Sequence, residues 1–265
     1  MTVQQTDFEA GIGRRLASPR TVKTDTVWTE HLFFTGYMMA ALLVIFVGFA
    51  PSFYLRGLVP SAAPLAPLRI DTIVHGVLAS LFMLAFPLQA MLAATGRIRA
   101  HVALGKWAFA CGAALVPMAY VVGAQAYHAI RPVPFPREML EGLVALPLFG
   151  SLALGLTLWL AWRRRFDGPA HKRLMVALAC QLADPAIFRL PISPLDPMGL
   201  LVIQAIMLAT LAPLWIWDVA TRGRIHRWTL IGSLIFMGEV VARTLVMPAS
   251  AWATLVHALP LYGQP

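Results

Sequence analysis

Charge is what this chain has least of. Only 12% of its 265 residues are Asp, Glu, Lys or Arg, against about a quarter in a soluble domain, while 59% are apolar and the mean hydropathy is +0.72. That scarcity excludes a soluble enzyme and a disordered chain. Lysine is scarcer still. Lys23, Lys106 and Lys172 are the only three, and none lies in the middle of an apolar run, so a retinal Schiff base has no candidate. The two cysteines, Cys111 and Cys180, lie inside apolar stretches without a C-x-x-C pattern, which removes a disulfide framework and a thiolate zinc site. Phosphate loops of the G-x-x-x-x-G-K-[ST] type, H-E-x-x-H and G-x-S-x-G are all missing. The net charge of +9 is expected in loops that face an anionic membrane surface, not on nucleic acid.

What remains is apolar runs of membrane length. A helix crosses a bilayer with about 20 mostly apolar residues, and seven segments qualify: 32–54, 70–94, 105–127, 142–162, 173–190, 199–217 and 228–247. The first run starts too late and is too long for a cleavable signal peptide, so it is predicted to be an uncleaved span. The expected fold is therefore all-α: a polytopic membrane bundle of seven transmembrane helices. It divides into a polar N-terminal arm (1–30), the membrane domain (31–249) and a short interfacial C-terminal segment (250–265). Fifteen Lys and Arg fall in the arm and the 95–106, 163–173 and 218–227 loops, against five in the alternate connections. That asymmetry predicts a cytoplasmic N-terminus and a C-terminus outside. Spans two to six each carry one interior proline, Pro87, Pro117, Pro147, Pro185 and Pro213, and each frees a carbonyl of the kind that broken transporter helices use to bind ions.

Ionisable groups within spans cost about 2.5–3.5 kcal/mol each on insertion scales and are functional candidates for that reason. Span two places Asp71, His75 and Gln89 on one helical face. Span five carries Gln181, Asp184 and Arg189, and span seven has Glu239 and Arg243 at i, i+4, the favourable order for a helical ion pair. Asp71, His75, Asp184, Arg189, Glu239 and Arg243 all fall between mid-membrane and the outer surface. With Gln89 and Gln181 they are expected to converge on one buried polar site, whose charged members sum to −1 while His75 is neutral. Such a site favours one more proton or a bound cation. Histidine is the natural haem and metal ligand. His75 and His128 fall towards the outer side, His101 and His171 at inner helix ends, the arrangement a two-haem electron carrier needs. His75 is also the candidate metal ligand.

Several stretches carry a family likeness: His75-Gly76, Gln89, Gly96-Arg97, His101 and Leu104-Gly105, then His171-Lys172-Arg173-Leu174-Met175, Pro185-Ala186, Arg189-Leu190-Pro191, and Arg222-Gly223-Arg224 with His226. Over about residues 40–230 the chain resembles a group of uncharacterised bacterial polytopic inner-membrane proteins, which implies the bacterial cytoplasmic membrane but no activity. A histidine early in one span and another after a basic loop are also similar to cytochrome b561-type electron carriers, which implies haem b. Three functions are expected as rivals: a b-haem membrane redox protein with His75 and His128 as outer ligands, a proton- or cation-coupled small-solute transporter, and an accessory subunit of a larger membrane complex. The expected partners are the lipid bilayer and, for the last, other subunits.

Overall fold

The structure, a computed structural model, describes residues 24–60, 67–130, 137–189, 197–247 and 250–263. Most of the polar arm lies outside them, with Arg14, Arg15, Arg20 and Lys23, as do Arg131, Leu190 and Pro191. Among the described residues every regular element is helical: α1 (Thr24–Phe49), α2 (Ile70–Ala94), α3 (Ile98–Ile130), α4 (Arg137–Leu143), α5 (Ala145–Arg163), α6 (Gly168–Ile187), α7 (Pro197–Ala209), α8 (Ala212–Arg222), α9 (Arg227–Val246) and α10 (Ser250–Ala258). Six stretches are long and apolar enough to cross a membrane: Trp28–Tyr54, Ile70–Ala94, Ile98–Ala129, Leu140–Arg163, Met198–Arg222 and Arg227–Val246. Their outward faces are apolar, as at Leu43 and Val47 on α1, Leu81 and Leu84 on α2, and Leu234 and Leu245 on α9. This is a multi-pass membrane protein in contact with lipid.

The expected fifth span, 173–190, forms α6 but is not among those six. Three charged residues, Lys172, Arg173 and Asp184, set it apart from them, and its position shows how they are tolerated. α6 packs against α1, α2, α5, α7 and α9, and most of its side chains from Ala170 to Ile187 are buried. Protein, not lipid, surrounds it, so it can carry Arg173, Gln181 and Asp184 without exposing them to hydrocarbon. Small residues let its neighbours approach. A Cβ added at Gly48 of α1 would lie 2.6 Å from that of Ala186, and one added at Gly232 of α9 would lie 2.8 Å from that of Ala177.

Short turns reverse the chain. Gly96 and Gly223, at φ +70° and +69°, take left-handed conformations that close the α2–α3 and α8–α9 turns. Asp167 caps α6 by accepting the Ala170 N–H at 3.2 Å, with Pro169 in the first turn. These turns lie together with the basic residues, at what we term the basic end. There Arg163, Arg164 and Arg165 stand over Trp159, Trp228 and Trp162 at 5.8, 4.7 and 4.5 Å, consistent with aromatic anchors at an interface.

Two spans depart from regular helical geometry at a proline, one of them at a proline of the expected set. Pro87, Pro117 and Pro185 lie inside helices, and Pro147 stands in the first turn of α5. At Pro213 the sixth expected span breaks, ending α7 at Ala209 and restarting α8 at Ala212. The Thr210 carbonyl exposed there accepts the Tyr37 hydroxyl of α1 at 2.6 Å, and the same hydroxyl accepts from Cys180 Sγ at 2.9 Å. At the far end of α1, Pro51 lacks an N–H, and the ladder slips into a π-turn over Ala50–Tyr54, with Leu55 N–H donating to Ala50 O at 2.7 Å.

A second hydrophobic cluster forms at the end opposite the basic one. α3 is 33 residues long, about 50 Å at 1.5 Å per residue, and overshoots a hydrocarbon core of about 30 Å. Its last turns pack through Ala124 and Tyr127 on Leu140, Val144, Trp252, Val256 and Tyr262. α10, expected along the membrane interface, is seated on α4 in this cluster.

Candidate functional site

The polar groups on α6 and α9 meet where sequence placed them. α6 and α9 start side by side at the basic end, so Asp184, in the last turns of α6, comes level with Glu239 and Arg243 of α9. Arg243 Nη1 donates to Asp184 Oδ2 at 2.5 Å and to Glu239 Oε1 at 2.9 Å, while Nη2 donates to Asp184 Oδ1 at 3.3 Å and contacts Met207 Sδ at 3.1 Å. The side chains of Arg243, Asp184 and Glu239 are 3%, 9% and 3% exposed. One guanidinium thus serves two buried carboxylates. With all three ionised the triad carries −1, which one proton or one monovalent cation would neutralise. Met207 ties it to α7, one turn before the break at Thr210, and Gln204 Nε2 donates to Thr244 Oγ1 at 2.7 Å beside it.

The expected cluster was broader than this. Asp71 stands at the first turn of α2, where it accepts from Thr72 N at 2.7 Å and from Arg69 Nε at 3.4 Å. It belongs to the surface. Gln89 lies near the basic end, its Nε2 donating to the His101 carbonyl at 3.0 Å. Sharing a face of α2 with His75 does not bring it near, because 14 residues of helix separate them by about 20 Å. Gln181 turns to α5 and donates to Thr157 Oγ1 at 2.9 Å. Arg189 leans over Phe49, its guanidinium carbon 4.2 Å from the ring centre, and donates to Pro185 O at 2.7 Å. His75, on α2, has a buried Nδ1 without a hydrogen-bond partner, and Arg189 is the charge acting on its ring. The expected site therefore divides into the triad, a separate Arg189–His75 neighbourhood, and Asp71, Gln89 and Gln181 with partners elsewhere.

The histidines also part company. His128 does not join His75. It sits in the second cluster, with Nε2 2.6 Å from the Leu261 carbonyl. The antiparallel packing that sets Phe82 against Gly112 and Gln89 beside His101 puts His128 roughly 15–20 Å beyond His75 along the helix axis. No single iron bridges them. At the basic end, His101 Nδ1 is 3.1 Å from Gln89 O and His171 Nδ1 is 3.0 Å from Ala161 O. A carbonyl only accepts, so each Nδ1 carries the proton and each Nε2 keeps its lone pair. The two rings are close enough for His101 to act on His171 electrostatically.

Two polar constellations had no place in the sequence reading. Arg173, counted there as a loop cation, is buried: its Nε donates to Asp218 Oδ1 and Oδ2 at 3.0 and 3.2 Å, and Nη2 closes a fork on the same carboxylate. Asp218 also accepts from His226 N at 3.0 Å and from Thr229 Oγ1. The exposures are 1% and 0%. This pair ties α6 to α8 and to the start of α9. The only signal was that opposite charges ended two spans at the same side. The other is Glu141, buried at the end of α4, which faces His257 Nε2 of α10 at 2.8 Å in a cleft lined also by Tyr127, Arg137 and Leu140. No spacing in the sequence links them. Among the described residues no group of three or more His, Cys, Asp or Glu is arranged to hold a metal ion, His75 included.

Comparison with models of known protein families, with curated proteins and with solved structures returns no match for this chain.

Proposed function

We propose that this chain is a protein of the bacterial cytoplasmic membrane that crosses it seven times, N-terminus inside and C-terminus outside, and that the Asp184–Arg243–Glu239 triad is the proton- or cation-binding site of a small-solute carrier. Seven crossings are supported by continuity. α5 ends at the basic turn Arg164–Asp167, and α8 ends at the basic turn after Arg222, so the chain must return between them. α6, 20 residues and about 30 Å long, is the return. With the buried Arg173 left out, the charge asymmetry is fourteen to five and still supports the orientation.

The observation that carries the carrier reading is a buried triad with one guanidinium for two carboxylates, placed one turn from a break in a crossing helix. Irregular backbone at membrane depth occurs where it is buried in protein or lines a cavity, and carriers build their ion sites there. Proteoliposomes holding a trapped pH indicator and challenged with a panel of small solutes are expected to show solute-dependent proton movement. Glu239→Gln should slow it about tenfold or more, the scale on which a positioned proton-transfer group acts. A wild-type protein with no coupled pH change for any solute, or a Glu239→Gln variant with the wild-type rate, overturns the reading.

A second reading, a b-haem redox protein, is supported by the basic-end histidines. Main-chain acceptors on Nδ1 are the supporting contacts that orient ligating imidazoles, and they leave His101 and His171 with Nε2 lone pairs, a donor set that fits axial ligation. Haem held there would supply one-electron chemistry. Protein expressed with haem supplementation is then expected to show a Soret band that disappears in His171→Ala. A purified protein without that band ends this reading and leaves the carrier reading untouched.

A further inference from the structure

Arg189 is a cation with no carboxylate partner among the described residues. Among the described residues its guanidinium has one polar partner, the Pro185 carbonyl at 2.7 Å, and otherwise rests 4.2 Å over the Phe49 ring. Among the described residues the two arginines buried in the bundle are both paired, Arg243 to two carboxylates and Arg173 to Asp218, whereas Arg189 stands exposed at the end of the bundle. An unpaired charge at the edge of a membrane core is costly unless a counter-ion reaches it.

His75 is the second member. Its Nδ1 is buried and unpartnered, and a buried orphan lone pair is more easily tolerated than a buried orphan N–H. That puts the ring proton on Nε2, a donor. The third element is the π-turn Ala50–Tyr54, which begins next to Phe49 and whose Phe53 ring fills the space left by Gly76 beside His75. A Cβ at position 76 would run into the tip of that ring and would push it aside. π-turns of this kind recur at functional sites. α1, α2 and α6 thus bring a guanidinium fork, an imidazole N–H and a widened helical turn together at the end opposite the basic loops.

We propose that Arg189 and His75, flanking the π-turn of α1, form a binding site for an oxyanion, a carboxylate or a phosphate, supplied either by a lipid headgroup or by a free anion. The planar guanidinium suits two oxygens of one anion, and the imidazole donates a further bond. The site stands apart from the triad: Arg189 lies in the turn that follows α6, five residues beyond Asp184, and the two make no partner in common.

The test uses the full chain in nanodiscs and reads its thermal unfolding. In discs of phosphatidylcholine alone, inorganic phosphate or succinate is added, with sodium chloride at matched ionic strength as the control. In a second arm phosphatidylglycerol replaces part of the lipid. A rise in Tm in the first arm identifies a free anion, and a rise confined to the second identifies a headgroup. In either case Arg189→Gln should weaken the response about tenfold or more, the loss of a charge-assisted hydrogen bond. Arg189→Lys should keep part of it, and Asp184→Asn all of it. Should Arg189→Gln not fold, His75→Asn is read in its place, and a reduced response is expected. No rise beyond chloride in either arm, or an undiminished rise in the Arg189 or His75 variant, overturns the proposal.

Discussion

Arg173→Met is expected to destabilise the bundle by about 3–5 kcal/mol, because it leaves a carboxylate buried without its cation. Asp218 is 0% exposed and keeps only the Thr229 hydroxyl and the His226 N–H as donors. Two neutral donors do not replace a guanidinium fork in a low-dielectric site. Asp218→Leu should cost a similar amount by stranding Arg173, which would retain only the Pro169 carbonyl at 2.9 Å. The double variant Arg173→Met/Asp218→Leu should recover most of the loss, since a buried pair replaced by apolar groups of similar volume is often neutral. Unfolding in mixed micelles, read by helicity across the four proteins, measures this. Additive losses would mean that the pair is not coupled and that α6 is held to α8 and α9 by packing alone.

The triad predicts an asymmetry instead of a symmetric cycle. Arg243→Met strands two carboxylates at once and should also cost about 3–5 kcal/mol. Glu239→Gln removes the surplus negative charge, keeps an oxygen for the Arg243 Nη1 bond at 2.9 Å, and should change stability by less than about 1 kcal/mol. The same micelle unfolding decides it. If Glu239→Gln were as damaging as Arg243→Met, Glu239 would be a structural member of the pair network and its proposed loading with a proton or cation would lose its basis.

The two arginines show where reading along the chain stops. Glu239 and Arg243 were legible as a pair because they are one helical turn apart on a single segment. Asp184 could be placed at their level because topology fixes depth. Nothing along the chain gave rotation about the helix axis, and rotation is what sends Asp184 to α9 while Gln181 turns to α5 and Arg189 to α1. For the same reason Asp71, His75 and Gln89, expected on one face of α2, end in three different surroundings. Depth separates Gln89, and the α2 start leaves Asp71 at the surface. Arg173 was misplaced for a different reason. Its position beside a basic loop counted it with the solvated cations, and the partner that buries it comes from a segment 45 residues later.

Composition and hydrophobic run length alone determined that this is a helical, multi-pass membrane protein, because lipid demands apolar outer faces and satisfied backbone whatever the packing. They also determined which end of the bundle is basic. Tertiary structure decided which helix is most enclosed by protein. α6 reads as a weak span because hydropathy measures contact with hydrocarbon, and α6 is enclosed by its neighbours. The surroundings that make it look least like a membrane helix let it carry Arg173 and Asp184 inside the protein.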